Sequence, residues 1–507
     1  MITRRAHYNS LLDIAQRLHA KHISPVELTE YMLKRIATKD RRLKSFATVT
    51  EELARKQAKK AEQEIQRGRI RGPLHGVPIA VKDLCYTRGI PTAAGMTIHK
   101  KFKPKFNATV VRRFVDAGAV LLGKLQMTEG AFAEHHPDIV PPVNPWNRAH
   151  WTGVSSSGSG VATAAGLCFA SLGSDTGGSI RFPSAANGVT GLKPTWGRVS
   201  RYGIFDLAPT LDHIGPMCRN AADVGAVLGV IAGIDTYDPT ASPTPVPNYL
   251  AGLERGIDGL RFGFDPKYNS RGVDRDMVTT VRKTLTTLTA MGAELREVTF
   301  PKTDVVVEEW RAHCGIETAF AHRHTYPKQK AQYGPALASL IELGLSLSAS
   351  DYQRILLNRY NFSGKVMLGE NFSGKVIKRL SDKGVKLNIT AVYTINQVKK
   401  IIKNINKDSK IIISIFSGRM GDIGKDPIPI IKESVRLTKR LKNVKILWAS
   451  TREPYNYLQA KNCGCSIITM PAAIIEKISK FGKTYEELTL DTVKKFLKDS
   501  KDSNFKI

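Results

Sequence analysis

Serine and glycine residues form two clusters within residues 153–191, on either side of an apolar, helix-like run at residues 162–172. Glycine lets a backbone approach a substrate closely, and it adopts dihedral angles that other residues avoid. A serine in such a loop can present its Oγ to a substrate while neighbouring N–H groups point at a developing negative charge. The pattern indicates nucleophilic chemistry at a serine; the alternative is a pair of ordinary Gly/Ser turns.

A second chemical signal lies upstream, where Lys82 and Asp83 follow a short apolar run at residues 77–81. A lysine that follows a strand is most often a solvated surface residue. It serves as a base only when it is neutral, which requires a buried site that lowers its pKa.

Further motifs follow in order, GAVLLGKLQMTEGAFAE from residue 118 and GLKPTWGRVSRYGIFDLAPTLDHIGPMCRNAADVGAVLGVIAG from residue 191. Together with the Ser/Gly clusters they resemble the amidase signature family, and the resemblance extends over residues 1–370. It implies an α/β fold with a mixed sheet flanked by helices, and a small-molecule amide as substrate.

The resemblance also implies a Ser–cis-Ser–Lys triad. By matching position, Ser179 is the nucleophile, Ser155 is the bridging serine in a cis peptide, and Lys82 is the base. Ser156 and Ser157 are alternatives for the bridge, but counting back from Ser179 favours Ser155.

In the implied reaction Lys82 takes a proton from Ser155, Ser155 takes one from Ser179, and Ser179 attacks the amide carbonyl. Water then cleaves the acyl-enzyme to a carboxylic acid and an amine or ammonia, without a cofactor or metal. The oxyanion is expected to be held by the backbone N–H groups of four consecutive residues, Thr176, Gly177, Gly178 and Ser179.

The first cluster departs from the family pattern Gly-Gly-Ser-Ser-Gly-Gly-Ser, because Val154 and Ser157 stand where glycines are usual. Either change strains the loop if the position needs a positive φ. Asp175 and Arg181 match motif positions as well, and we expect them to brace the second loop through hydrogen bonds.

The composition of the chain changes near residue 370. Beyond this point lysine becomes far more frequent than arginine, and isoleucine and asparagine increase. At the same place the hexapeptide NFSGKV occurs twice, at 361–366 and 371–376. We therefore predict a chimeric chain, arising by natural fusion, engineering or an assembly error, with an amidase domain truncated at its C-terminal end at residues 1–370 and a second segment at 371–507.

This second segment, the tail, alternates apolar and amphipathic stretches. Candidate strands lie at 386–390, 410–416, 445–450 and 465–470, and a helical pattern follows each. Such alternation favours βα units around a parallel sheet. We expect a partial, barrel-like half of about four βα units.

Within the tail, KLNIT, SIFSGRMGDIG and WASTREPYNYLQAKNCGCSIITMP resemble the transaldolase and fructose-6-phosphate aldolase family, whose fold is a (β/α)₈ barrel. The family's Schiff-base lysine precedes these strings in a Lys-Ile-Pro context, and here NFSGKVIKRLSDKG, a predicted helix, stands instead. The tail is thus expected to be non-catalytic. By position, five residues match substrate and phosphate contacts and form a vestigial site: Asn388, Ser414, Arg419, Ser450 and Arg452.

Bulk properties favour a cytoplasmic protein without a membrane segment. No apolar run approaches the roughly 18 residues of a membrane span. The six cysteines are scattered, which favours free thiols in a reducing compartment. The histidines lack carboxylates at ligand spacing, so no metal site is predicted.

The net charge of +31 raises the question of a nucleic-acid partner. Much of this charge lies on lysines spread along predicted helices, and no basic motif interleaved with aromatic residues occurs. The pattern therefore favours solvated helix faces, and nucleic acid is unlikely as a partner.

Amide hydrolysis is the favoured function. An A-type subunit of an aminoacyl-tRNA amidotransferase and a catalytically silent chimera are the alternatives, and the oligomeric state stays open.

Overall fold

The computed structural model describes residues 5–368, 372–478 and 481–503. The chain divides into two compact units, Met1–Arg359 and Tyr360–Ile507. The boundary predicted between residues 370 and 371 falls on residues outside the described ones.

The helices of the first unit alternate with its strands and continue beyond them along the chain. They are α1 (Leu11–His19), α2 (Pro25–Leu43), α3 (Glu51–Gln66), α4 (Thr109–Asp116), α5 (Ser157–Ala164), α6 (Arg181–Asn187), α7 (Ala221–Ile231), α8 (Arg275–Ala290), α9 (Asp304–Ala321), α10 (Tyr326–Gln329) and α11 (Pro335–Leu345), with α12 (Ala349–Leu368) containing the division between the units.

The main sheet of this unit has six strands in the order β1-β3-β2-β4-β6-β5. β2 runs parallel to β3 and β4, whereas β1, β5 and β6 each pair antiparallel, so the predicted mixed sheet is confirmed. The strands are β1 (Phe46–Val49), β2 (Pro78–Lys82), β3 (Val120–Leu125), β4 (Ala170–Asp175), β5 (Thr190–Gly191) and β6 (His213–Cys218).

The three central strands, β2, β3 and β4, are buried along their whole length. Parallel strands covered on both faces are expected to be apolar rather than alternating, and the buried polar residues Lys82, Lys124 and Asp175 depart from this pattern. Because β2 and β4 are adjacent and parallel, their carboxyl ends bring Lys82 and Asp175 to the same edge of the sheet.

The apolar run at residues 162–172 is not one helix, and the prediction of a helix-like run was wrong for its second half. α5 ends at Ala164, Gly166 turns the chain at φ +64°, and β4 begins at Ala170. Apolarity alone does not separate a buried helix from a central strand.

A smaller sheet in the first unit pairs β7 (Arg261–Phe264) with β8 (Glu294–Glu297) in parallel. Every residue of β8 is exposed, and α8 buries none of its residues. Met277 and Met291 are each more than half exposed.

The second unit has four strands, β9 (Leu387–Val392), β10 (Ile411–Ile415), β11 (Val444–Trp448) and β12 (Ile467–Ile468), which form a parallel sheet in chain order. They confirm the four predicted strands. Among the described residues the sheet is open, with β9 and β12 as its edges, and a closed barrel is not formed.

Helices α13 (Phe372–Asp382), α14 (Ile395–Lys403), α15 (Ser417–Gly421), α16 (Ile428–Thr438), α17 (Asn456–Asn462), α18 (Ala472–Ile478) and α19 (Tyr485–Asp502) complete this unit. One face of the sheet packs against them around Ile413, Ile446 and Trp448. Thr394 and Gln397 form a capping box at the start of α14, so this helix begins where its local sequence predicts.

Candidate active site

Lys82 ends β2 and is fully buried. Its Nζ lies 2.6 Å from Ser155 Oγ and 2.8 Å from Ser174 Oγ, and both hydroxyls are buried too. The peptide bond between Val154 and Ser155 is cis. The fold thus joins Lys82 to Ser155, two residues 73 positions apart in the chain.

Burial lowers the pKa of Lys82 to about 7, from 10.5. The nearby groups Cys85, Asp212 and Asp175 oppose this shift without cancelling it. A lysine in water is almost entirely charged at neutral pH, whereas this lysine has a substantial neutral fraction, as a proton acceptor requires.

The neighbouring serines of the first cluster have other partners. Ser156 Oγ donates to the Ser174 carbonyl and accepts from the Ser174 N–H, which fixes α5 to β4. Ser157 Oγ lies 3.0 Å from His135 Nε2. Of the three consecutive serines, Ser155 is therefore the one that contacts Lys82.

The departures from the family pattern in this loop do not require a positive φ at either substituted position. Val154 and Ser157 both have negative φ angles, and the positive φ of the loop, +79°, falls on Gly153. The φ-dependent strain considered from the sequence does not arise at either substituted position.

The second loop, residues 175–181, is held by one carboxylate. Asp175 forms a bidentate ion pair with Arg181, at 2.9 and 3.0 Å. Its carboxylate also accepts from the backbone N–H groups of Gly178 and Ile180. Burial by itself raises the pKa of Asp175, but the Arg181 side chain and the backbone N–H groups of Ile180 and Arg181 lower it below its usual value. The predicted bracing role of this pair matches the geometry.

Ser179 lies in this loop with 9% of its surface exposed. Among the hydrogen bonds of the described residues, none joins Ser179 Oγ to Ser155 Oγ. The structure therefore brings Lys82 and Ser155 into contact but leaves Ser179 unlinked to them.

One of the expected oxyanion donors is already engaged. The Gly178 N–H donates to Asp175 Oδ1 over 2.8 Å, so it is not free to bind a developing oxyanion. For the N–H groups of Thr176, Gly177 and Ser179, no acceptor is found within the described part of the chain. These three members of the predicted set remain free to bind an oxyanion.

Two side chains that sequence reasoning did not single out hold Thr176. Its Oγ1 donates to Asp212 Oδ1 at 2.5 Å, and its carbonyl accepts from Trp310 Nε1 at 3.4 Å. Asp212 also accepts from two backbone N–H groups, and burial raises its pKa to about 7. The Trp310 ring lies so close to Gly177 that a Cβ there would meet it at 2.4 Å.

Ser174 and His135 were also missed. Ser174 supplies the second hydroxyl on Lys82, and burial together with the charge of Lys82 lowers the pKa of His135 to about 4. Ser174 lies within residues 153–191, five residues before Ser179, but only strand pairing shows that it points to Lys82. No local pattern marks His135.

The five tail residues are only partly brought together. Ser414 Oγ donates to Asn388 Oδ1 over 2.7 Å across two adjacent strands. Arg452 pairs with Asp422 at 2.6 Å, Arg419 lies over the ring of Phe416 at 5.9 Å, and Ser450 follows β11 with a positive φ. Within the described residues no hydrogen bond joins either arginine to the Asn388–Ser414 pair, and a shared vestigial site stays a prediction.

The described residues contain neither a candidate metal site nor a helix that could span a membrane. Their His, Cys, Asp and Glu side chains form no group of three or more that could hold a metal ion. Each helix described there is too short or too polar to cross a lipid bilayer. The cysteines are free thiols.

Comparison with solved structures supports the fold. The chain is similar to a native peptide amidase from Stenotrophomonas maltophilia, with 32% identity and a TM-score of 0.63, over 70% of this chain and 80% of that one. A structure described as a vestigial protein complex bearing on the origins of an s-triazine catabolic enzyme matches with 30% identity and a TM-score of 0.67, over 71% and 78%.

Proteins of two kinds are similar to this chain in sequence. The AmiD protein of Mycobacterium tuberculosis, provisionally named as an amidase, is 47% identical over 354 residues, which are 70% of this chain and 74% of the relative. The A-type subunit of the glutamyl-tRNA(Gln) amidotransferase from a Geobacter strain is 37% identical over 361 residues, with 67% and 74% covered.

Two protein-family models match different parts of the chain. Residues 370–507 match the transaldolase/fructose-6-phosphate aldolase model, as the tail motifs indicated. Residues 27–372, the larger part, match the amidase model and contain the buried lysine, both serine loops and the mixed sheet that positions them. The chain therefore belongs to the amidase family, with a transaldolase-like segment following its amidase part.

Proposed function

We propose that the chain hydrolyses the C–N bond of a small carboxamide through an acyl-enzyme on Ser179. The observation that supports this most directly is the buried contact of 2.6 Å between Lys82 Nζ and Ser155 Oγ, at a lysine whose pKa burial lowers to about 7. A buried, partly neutral amine held against a hydroxyl is a proton acceptor for a serine nucleophile.

The proton moves in two linked transfers. Neutral Lys82 donates one N–H to Ser174 Oγ and accepts the proton of Ser155 with its lone pair. Ser155 Oγ in turn takes the proton of Ser179, which requires Ser179 to approach when substrate binds. Catalytic hydrogen bonds often tighten only in the substrate complex.

The Ser179 Oγ then forms a bond to the amide carbon, and the carbonyl electrons move to the oxygen. The N–H groups of Thr176, Gly177 and Ser179 stabilise this oxyanion, and losing one such donor typically costs about 100-fold or more in rate. Collapse breaks the C–N bond, and the proton on Lys82 returns through Ser155 to the leaving nitrogen. Water, activated along the same path, releases the acid.

A second candidate is the A-type subunit of an aminoacyl-tRNA amidotransferase. The 37% identity to such a protein favours it. Its chemistry at Ser179 would be the same, but the ammonia would attack an activated acyl group held by a partner and displace its leaving group, rather than pass into solution. This candidate predicts weak glutamine hydrolysis alone and stimulation by partner chains.

The test is labelling of the full chain with a fluorophosphonate probe, followed by peptide mapping. We expect an adduct on Ser179 that is absent in Ser179→Ala and strongly reduced in Lys82→Ala. Lys100→Ala removes an exposed lysine and serves as the matched control, with labelling unchanged. Soluble, folded protein that takes no label on Ser179 would show a catalytically silent chimera and overturn the proposal.

A further inference from the structure

A concave pocket of about 390 Å³ lies in the first unit, away from the Lys82 site. It is formed by one face of α2, by the loop at residues 143–148 and by the C-terminal end of α5. Its volume falls within the range of pockets that hold small ligands, about 300–1,000 Å³. The proposed amide chemistry uses no residue of this pocket.

The pocket is strongly cationic. Arg35, Lys39 and Arg42 follow one another at i, i+4 and i+7 on α2, which places them on one face of the helix, and Arg148 adds a fourth cation from the loop. None of the described lining residues is Asp or Glu. Among the ion pairs of the described residues, none involves these four cations. The Arg35 guanidinium donates to the carbonyls of Ala165 and Gly166 at 2.8 and 3.1 Å, so Lys39, Arg42 and Arg148 are the cations whose side chains are available to an anion.

Two observations show that this charge is not neutralised locally. The nearest carboxylate on α2, Asp40, accepts hydrogen bonds from the backbone N–H groups of Ser45 and Phe46. Burial lowers the pKa of the neighbouring His7 to about 4, and Arg35 and Lys39 contribute to that shift. The region therefore has a positive potential that favours bound anions.

Trp146 supplies a planar surface in the same pocket. The residue is 73% exposed, yet its Nε1 donates to the Asn187 carbonyl at 2.8 Å and its backbone N–H to Asn144 Oδ1 at 3.0 Å. Asn144 is buried and donates to the carbonyls of Trp151 and Ala186. The ring is thus held in place while its surface stays open, which lowers the entropic cost of stacking.

We propose that this pocket binds a nucleoside 5′-phosphate, with the phosphate among the cations and the base stacked on Trp146. Arginine and lysine side chains are well suited to phosphate oxygens, and aromatic rings stack on bases without regard to their identity. The other aromatic ring, Tyr8, already lies under Arg35 at 5.7 Å, so Trp146 is the open stacking surface. The proposal is independent of the amidase function.

The test is calorimetric titration of the full chain with adenosine 5′-monophosphate, with adenosine and inorganic phosphate titrated separately. We expect the nucleotide to bind more tightly than either part. Trp146→Ala and Arg42→Glu are each expected to weaken nucleotide binding about tenfold or more, because the first removes the stacking surface and the second places a carboxylate where a cation stood. Trp146→Phe keeps a ring and should retain most of the affinity. Lys34→Glu makes the same charge change at an exposed position of α2 outside the pocket and should leave it unchanged.

Three outcomes would overturn the proposal. Nucleotide affinity that is equal in Trp146→Ala, Arg42→Glu and the parent chain would place binding elsewhere. Inorganic phosphate that binds as tightly as the nucleotide would indicate a simple anion site. Binding of a single-stranded oligonucleotide without binding of the mononucleotide would indicate a nucleic-acid surface instead. Melting temperatures close to that of the parent chain would show that the variants, all at the protein surface, are folded.

Discussion

Thr176 Oγ1 donates a hydrogen bond to Asp212 Oδ1 across 2.5 Å, which ties the second loop, residues 175–181, to the segment before β6. The Asp212 carboxylate has three donors in all, the other two being the backbone N–H groups of Leu207 and Ala208. A loop held this way presents its N–H groups in a fixed direction, which electrostatic stabilisation of an oxyanion requires.

Thr176→Val is therefore expected to lower kcat roughly tenfold with a smaller change in KM. The substitution keeps the shape of the side chain but removes the donor, which typically costs about 1 kcal/mol of stability. Thr176→Ser retains the hydroxyl and should recover most of the activity. Steady-state kinetics on a simple amide, together with melting temperatures, check this. Unchanged kcat in Thr176→Val would show that Asp212 does not position the loop.

The pH dependence of Ser179 labelling should report Lys82. Its pKa is lowered to about 7 by burial, and the reactive form is the neutral amine. The labelling rate should therefore reach a plateau above this pH and fall about tenfold per pH unit below it. Rates measured from pH 5 to 9 test this. A rate that does not vary over the range would mean that Lys82 is not the base.

Gly177→Ala should abolish Ser179 labelling. A Cβ at this position would meet the Trp310 ring at 2.4 Å, so the loop or the ring must move. The double variant Gly177→Ala/Trp310→Ala relieves the clash and should recover part of the labelling relative to the single variant, with Trp310→Ala alone as the control. If the double variant is as inactive as Gly177→Ala, the loss comes from the backbone itself rather than from Trp310.

Glu317 should make the stability of the first unit dependent on acid pH. It accepts from His313, Tyr352 and Thr210. Burial opposes its ionisation, but these donors lower its pKa from 4.5 to about 2. The stabilisation is thus complete above about pH 4.5 and is lost as the pH falls towards 2.

A shift of this size corresponds to on the order of 3 kcal/mol. Melting temperatures of the parent chain should fall between pH 5 and 3 more steeply than those of Glu317→Gln. Glu30→Gln, which removes one partner of an exposed ion pair with Arg55, is the matched control and should follow the parent. Parallel curves for the parent and Glu317→Gln would contradict the assignment.

Much of the local structure was predictable because its signals lie within a few residues. The apolar run before Lys82 forms β2, and the alternating stretches of the tail form four parallel strands with their helices. The capping box of Thr394 and Gln397 marks a helix start within a single turn. By contrast, residues 162–172 carry only apolarity, and the split at Gly166 depends on the packing of β4 in the sheet centre.

The sequence by itself determined which loops carry the serines, that a lysine ends the strand before them, and that two unrelated families meet near residue 370. Only the tertiary structure decided how these groups meet. It places Ser174 beside Lys82 and commits the Gly178 N–H to Asp175. It also brings Asp212 and Trp310 to Thr176, over separations of 36 and 134 residues. Such contacts arise from strand pairing and helix packing between distant segments, so no local sequence pattern predicts them. The free energy of burial depends on the whole core rather than on neighbours in the chain.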